Sequence, residues 1–413
     1  MNNMRRLGIA LAVLLGLSQT PALAQGTIRI GYSEALSGTF AQIGDQGLKT
    51  LQFIINGINA KGGVLGKKLE LVPYDNKAQP SEALVALQKM VDEGLSIVLN
   101  CGPSNIAAAL VDGVNKHNAR NKDHRIVYVN CGAVATELTN EKCSFWHFRT
   151  DAHVGMKSEI MVRGLPKTTT KVYLINQDYL FGQGVQKDVR AYLVKLRPDV
   201  QIVGDELVPL GKIKDFSSYI AKIKAAGAQA VMTGNWGPDL ALLVKASIEG
   251  GIGAEFYTFY AHLAGGPTAI GAGGNGMVHA VMNFSENLGI QMNNPELDAW
   301  VRSFRAVHNF DFSFGDRRLA VELIANAINK AGSTDPFKVA KAMEGLSWMD
   351  GTGQPVTMRS ADHQVLMPYY VGTFSTGTTY DSEKTGLGWK VGAFIKAQDL
   401  DQPNTCAMNR PAS

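Results

Sequence analysis

After Gln25 the chain alternates short apolar runs with amphipathic windows. The runs Ile28 to Gly31, Leu69 to Pro73, Ile97 to Leu99 and Ile126 to Val129 are short, rich in aliphatic and β-branched residues and bounded by Gly, Asn or Pro, which predicts buried strands. Between them Leu48, Leu51, Ile55 and Ile58 fall at helical spacing, as do Leu84, Leu87 and Val91, and then Ile106, Leu110 and Val114. Strand and helix repeated in this way predict parallel strands joined by right-handed crossovers, with helices on both faces of the sheet.

The alternation restarts after Arg149. Lys171 to Ile175, Gln201 to Val208, Ala230 to Thr233, Phe256 to Tyr260 and Met277 to Phe284 are the strand candidates. Val185, Val189 and Leu193, then Phe216, Ile220 and Ile223, then Leu240, Leu243 and Val244 mark the helices between them. Pro295 to Leu346 is almost wholly helical in pattern, and the tail returns to strand-like runs at Leu366 to Phe374 and Trp389 to Ile395. The expectation is therefore two doubly wound α/β units in one chain.

The N-terminus has a different grammar. Arg5 and Arg6 precede the apolar run Leu7 to Leu17, a polar break follows, and Ala22-Leu23-Ala24 puts small residues at the two positions that a signal peptidase reads. Residues 1–24 are expected to be a cleavable export signal, with the cut after Ala24. Residue 25 is Gln and not Cys, so no lipid anchor is expected at the new terminus. Elsewhere charged or polar residues interrupt every window of the roughly 18 residues that a membrane span needs, which predicts a soluble mature protein.

Composition narrows the class further. The 413 residues are 45% apolar and 18% charged, enough to bury a core in each of two units. A formal charge of only +4, without a basic run longer than Arg317-Arg318 or Lys67-Lys68 beyond the first residues, argues against a nucleic-acid groove. Export makes the four cysteines candidates for disulfides. Cys143 with Cys406 would staple the C-terminal tail to the body, leaving Cys101 and Cys131 either paired or free. Their spacing fits no zinc motif, so no metal is expected.

Catalytic motifs are missing. The first strand ends in Gly31-Tyr32-Ser33-Glu34 without the Gly-x-Gly-x-x-Gly of a dinucleotide site, and the glycine cluster Gly271 to Gly276 precedes a strand rather than a helix. There is no Walker motif, no Gly-x-Ser-x-Gly elbow and no metal-binding His pair. No cofactor and no enzyme activity are expected. Instead, three turns rich in small and polar residues stand where strands end and helices begin: Leu36 to Asp45, Asn100 to Asn105, and Asn130 to Ala135. In a doubly wound sheet those edges form the ligand crevice, and the N–H groups at helix starts hold anions. Capping of helices by Ser37, Ser104 or Asn105 is the plainer alternative.

These residues carry a resemblance. Ser37-Gly38-Thr39-Phe40-Ala41-Gln42-Ile43-Gly44, Gly62-Gly63-Val64-Leu65-Gly66-Lys67-Lys68-Leu69-Glu70-Leu71 with Tyr74-Asp75, Glu137-Leu138-Thr139, Phe181-Gly182-Gln183-Gly184, and Ala325-Asn326-Ala327-Ile328 with Ala331-Gly332-Ser333 resemble the periplasmic leucine/isoleucine/valine-binding protein family, in order along almost the whole mature chain. The resemblance implies two α/β lobes joined by three hinge strands (the type I periplasmic binding protein fold) that close on a small ligand and hand it to the permease of an ABC importer. It implies a first lobe of residues 26–148 and 285–355 and a second of 149–284 and 356–413.

By the same resemblance Ser104, with Asn105 beside it, meets a ligand carboxylate, helped by the turn Gly132-Ala133-Val134, where Val134 replaces a hydroxyl residue. In the second lobe Phe181 replaces a common Tyr, Trp236 is an aromatic wall, and His262 falls close to the acidic residue that meets an ammonium group. Trp236 as plain core and His262 as a bystander are the competing readings. Leaving a ligand ammonium buried and unpaired costs several kcal/mol, so the loss of that acid makes the pocket look less suited to a plain zwitterion. Phe40, Tyr179, Phe181, Trp236 and Tyr260 together make an aromatic cleft suited to a flat or apolar acid, with His262 at a polar tail. A monomeric solute-binding protein of an importer is the expected function, with branched-chain amino acids or aromatic and other small carboxylates as the candidate ligands. A sensor of the same fold and a secreted α/β enzyme are the alternatives.

Overall fold

The computed structural model describes residues 26–411, so the expected export signal lies outside the described residues. The first sheet has five parallel strands, β1 (Ile28–Glu34), β2 (Leu69–Asp75), β3 (Ile97–Asn100), β4 (Val127–Asn130) and β5 (His147–Arg149), in the order β2-β1-β3-β4-β5. Its registers run Ile28 against Leu69, Gly31 against Val98, and Asn100 against Asn130. Helices α1 (Ala41–Ala60), α2 (Pro80–Asp92) and α3 (Ser104–Arg120) make the crossovers. On α1 the apolar stripe Leu51, Ile54 and Ile55 is buried, which holds the helix on the sheet.

The second sheet holds β6 (Lys171–Gln177), β7 (Gln201–Val208), β8 (Ala230–Thr233), β9 (Glu255–Thr258) and β10 (Val278–Met282), all parallel to their neighbours among these five. Helix α4 (Val154–Arg163) leads into this sheet from β5, and its crossovers are α5 (Leu180–Leu196), α6 (Ser217–Ala225), α7 (Gly237–Glu249) and the short α8 (Gly266–Ile270). After the turn α9 (Leu288–Gln291), the helices α10 (Pro295–Val307), α11 (Gly315–Ala331) and α12 (Pro336–Met343) return to the first lobe. There Phe53 of α1 meets Trp300 and Phe304 edge to face at 5.7 and 5.1 Å. The strands β11 (Ser347–Met349), β12 (Pro355–Met358) and β13 (Val365–Leu366) form a small antiparallel sheet. Finally β14 (Tyr369–Ser375) and β15 (Gly388–Ile395) add antiparallel to β10, completing seven strands in the order β15-β14-β10-β9-β8-β6-β7.

The fold is thus the type I periplasmic binding protein fold, two α/β lobes with the chain passing three times between them. Those passes follow β5, β10 and β13. Arg149 pins two of them together: it is fully buried, and its guanidinium donates to the Gln364 side chain at 2.7 Å, to the Ala135 carbonyl at 2.6 Å and to Thr139. A charge this deep persists only because acceptors surround it. Phe148 stacks on His363 at 3.9 Å in the same place.

Both cysteine pairs are joined. Cys143–Cys406 has a Cα–Cα distance of 5.7 Å, and Cys101–Cys131, which the sequence left open, has 4.5 Å. Three features depart from the sequence reading. The strands β5 and β11 were not foreseen, because each is three residues long and lacks an apolar run, and the expected strand from Leu366 to Phe374 is divided at Pro368 between β13 and β14. The expected strand from Phe256 to Tyr260 ends at Thr258, which releases Tyr260 and His262 into a loop above the sheet edge.

Candidate ligand-binding cleft

At the carboxyl ends of the strands lies a cleft of about 790 Å³, open solvent at its mouth included. Its first-lobe wall is built where β3 and β4 end. The Cys101–Cys131 disulfide joins these two strand ends, and Cys101, Gly102, Pro103 and Ser104 face the cleft. Pro103 is the N-cap of α3 and Ser104 its first residue, so Ser104 does not cap the helix. Its hydroxyl oxygen instead accepts the Ala135 N–H at 3.2 Å, tying the two turns together, and no acceptor for its own proton is found among the described residues. The first N–H groups of a helix, here those of Ser104 and Asn105, have no partner within the helix.

The second turn differs from expectation. Asn130 accepts the N–H groups of Gly132 and Ala133 at 3.1 and 2.8 Å, so those donors are already taken. Gly132 and Val134 line the cleft but Ala133 does not, and neither does the Asn105 side chain, whose Oδ1 is buried without a partner.

The second lobe supplies the aromatic wall. Tyr179 and Trp236 are the N-cap residues of α5 and α7, which sets both rings at the mouth of the sheet edge, and the Trp236 indole donates to the Tyr179 hydroxyl at 2.8 Å. The Phe181 ring lies 5.8 Å from those of Tyr179 and Tyr260. Across the mouth, Phe40 of the first lobe stacks on Trp236 with centroids 4.3 Å apart. Its ring sits against Gly211 and Gly237, both in the left-handed region (φ 66° and 59°), where a Cβ would come within 3.4 and 3.3 Å of it. His262 completes the wall. Burial and the Lys157 charge push its imidazole down to about 3, so it is neutral.

The floor is charged, and sequence reasoning missed it. Glu34 at the end of β1, Asp151 after β5, Lys157 on α4, and Asp316 with Arg317 at the start of α11 all face the cleft. Lys157 pairs with Asp151 at 2.7 Å, both side chains being about 95% buried, and Tyr369 donates to the same carboxylate. Arg317 stands 4.0 Å from Glu34 and 3.5 Å from Asp316, and its guanidinium lies 3.8 Å from the Phe314 ring centroid. Its Nε is buried without a partner, and Gly47 of α1 lets it pass at 2.8 Å from where a Cβ would stand. Burial raises both the Glu34 and Asp316 carboxyls against the pull of Arg317, Asp316 to about 7. The expectation that the cleft lacks an acidic partner for an ammonium group is therefore corrected: the acids come from the strand ends and from α11 rather than from the His262 position. The signal was available for Glu34, since the carboxyl end of a strand in a doubly wound sheet faces the crevice.

The arrangement offers hydrogen-bond donors, a flat apolar wall and an internally paired polar floor, which is the inventory of a small-molecule binding site. Comparison with known proteins points the same way. The chain is 29% identical over 415 residues to "Leu/Ile/Val-binding protein homolog 4" of Brucella melitensis, covering 98% of each chain. It is 26% identical over 344 residues to the leucine-, isoleucine-, valine-, threonine- and alanine-binding protein of Pseudomonas aeruginosa, covering 80% of this chain and 86% of that one. Its structure superposes on the closed conformation of the leucine-, isoleucine-, valine-, threonine- and alanine-binding protein from Brucella ovis with a TM-score of 0.83 at 28% identity, covering 94% of this chain and 100% of that one. With the family model for "Periplasmic binding protein" matching residues 27–379, the chain belongs to that family.

Proposed function

We propose that this chain is exported by residues 1–24, cut after Ala24, and works as a periplasmic monomer that captures a small carboxylate with an aromatic or branched apolar body and presents it to a membrane permease. It acts by binding and releasing its ligand unchanged. The lobes that close are joined by the passes after β5, β10 and β13, which moves the third boundary from residue 356, as the resemblance implied, to the end of β13 at Leu366. The observation that carries this reading is the pairing of an unused Ser104 hydroxyl proton at the start of α3 with the aromatic wall of Tyr179, Phe181, Trp236 and Tyr260. The donors take the acid and the rings take the body.

A second reading, an α-amino acid, is favoured by Glu34 and Asp316 on the floor, which would pair with its ammonium group, and by the names of the Brucella and Pseudomonas relatives. Native mass spectrometry of the purified protein, followed by calorimetric titration of leucine, valine, phenylalanine, benzoate and 4-hydroxybenzoate, tests both. Binding of one of these without chemical change is the expected result. Failure of every small acid to bind, or turnover of a bound compound, would overturn the proposal.

A further inference from the structure

His262 carries hydrogen-bonding capacity that nothing among the described residues uses. Its Nδ1 is buried without a partner, and the surroundings that shift its titration, burial and the Lys157 charge, include no hydrogen bond to either ring nitrogen. It lines the main cleft and also a smaller cavity of about 300 Å³ behind it, where Ser285, Glu286, Tyr380 and Trp389 are among the walls. Trp389 meets the imidazole edge to face at 6.2 Å, and its indole N–H is likewise buried without a partner. Two unsatisfied polar rings therefore flank one polar recess at the second-lobe end of the cleft.

We propose that His262 reads an uncharged hydroxyl at the end of the ligand remote from its acid group. This rests on the reading of the cleft as a carboxylate site. The chemistry follows from the state of the imidazole. Held neutral, it presents one N–H donor and one lone pair. A second carboxylate would use only the donor, and an ammonium only the lone pair, and either would bring a charge beside a Lys157 that Asp151 already neutralises at 2.7 Å. A hydroxyl both donates and accepts, so it can pair with whichever nitrogen faces it and pass its other bond to the recess. Because Ser104 belongs to the first lobe and His262 to the second, such a ligand spans the gap, and its full affinity is realised only when the lobes close.

A buried site built for a hydroxyl discriminates against the analogue that lacks it, because its own polar groups are then left unpaired. The test is calorimetric titration of three matched pairs: benzoate with 4-hydroxybenzoate, 3-phenylpropionate with 3-(4-hydroxyphenyl)propionate, and phenylalanine with tyrosine. In at least one pair the hydroxylated member should bind about 10- to 100-fold tighter. His262→Phe should reduce that ratio to below about 3-fold while the plain member still binds, and His262→Gln, which keeps a donor and an acceptor, should restore part of it. Binding of the pairs without preference for the hydroxyl overturns this inference alone, as does a preference that survives in His262→Phe. No binding by any of the six overturns the aromatic-acid reading and this inference with it. Should His262→Phe not fold, the His262→Gln ratio and the wild-type pairs still decide.

Discussion

Replacing Ser104 with alanine separates a ligand contact from a structural one, because the hydroxyl has two faces. Its oxygen holds the Ala135 N–H at 3.2 Å, and its proton has no acceptor among the described residues. Loss of the donor to a ligand carboxylate, a hydrogen bond to a charged group, removes about 1.5 to 3 kcal/mol of binding, or about 10- to 150-fold in Kd. Loss of the acceptor leaves the fully buried Ala135 N–H unpaired and lowers stability by about 1 to 3 kcal/mol. Affinity and melting temperature should therefore fall together. Comparing an acid with its neutral amide isolates the first effect: calorimetry should show the acid losing more than the amide, since only the acid offers a charged acceptor. An acid and amide that lose affinity equally, or a lower melting temperature at unchanged Kd, would refute the assignment and leave Ser104 as a strut between the two turns.

Trp236→Ala removes the face that stacks on Phe40 at 4.3 Å and the indole that donates to Tyr179 at 2.8 Å, so it should weaken acid and amide by similar factors and leave their ratio nearly unchanged. A change in that ratio would show that the ring reads charge rather than shape. The C-terminal segment makes a further crossing between the lobes. Gln402 donates to Glu159 on α4 at 2.8 Å, Thr405 donates to Asn140 at 2.9 Å, and Cys406 is bonded to Cys143. Cys143→Ser with Cys406→Ser should cost about 2 to 5 kcal/mol in urea unfolding and increase the ligand-free radius of gyration by X-ray scattering. An unchanged radius would mean that the three hinge passes alone set the opening.

The central strands of the sheets were legible because they are buried on both faces. Ile97 to Leu99 and Ala230 to Thr233 read as short apolar runs for that reason. His147-Phe148-Arg149 did not, since Arg149 looks like a surface residue until its acceptors, Gln364 and two loop carbonyls, are brought to it by the fold. The same holds for the site. Phe40, Ser104, Trp236 and Tyr260 could be placed from turns at strand ends together with the family resemblance, whereas Arg317 entered only as half of a basic pair. Folding buries Arg317 over Phe314 between two acids, and leaves its neighbour Arg318 paired with Glu322 at 2.9 Å on the next turn. The Arg317–Glu34 pair joins segments far apart in the chain and so has no sequence period, and nothing in the spacing announces it.

Those pairs also supply the means to decide what the ligand carries. Glu34, Asp151 and Asp316 face Lys157 and Arg317 across the floor, with buried Arg149 below, so the charges are close to balance before a ligand arrives. Asp316 is the poised member: burial and the Asp151 carboxylate push it up to about 7, opposed by Arg317 and Lys157. A ligand that brings only a carboxylate favours the protonated form of Asp316, so its binding takes up a proton and its affinity falls as pH rises through 7. A zwitterion whose ammonium sits beside Asp316 favours the ionised form, so its binding releases a proton and its affinity rises until Asp316 is ionised in the free protein. One proton changes affinity by at most about tenfold per pH unit. Titrations at pH 6 and pH 8.5 in buffers of different ionisation enthalpy give both the slope and the proton count. Asp316→Asn should abolish either dependence, and a slope that persists in that variant would show that another group, Glu34 foremost, carries the proton.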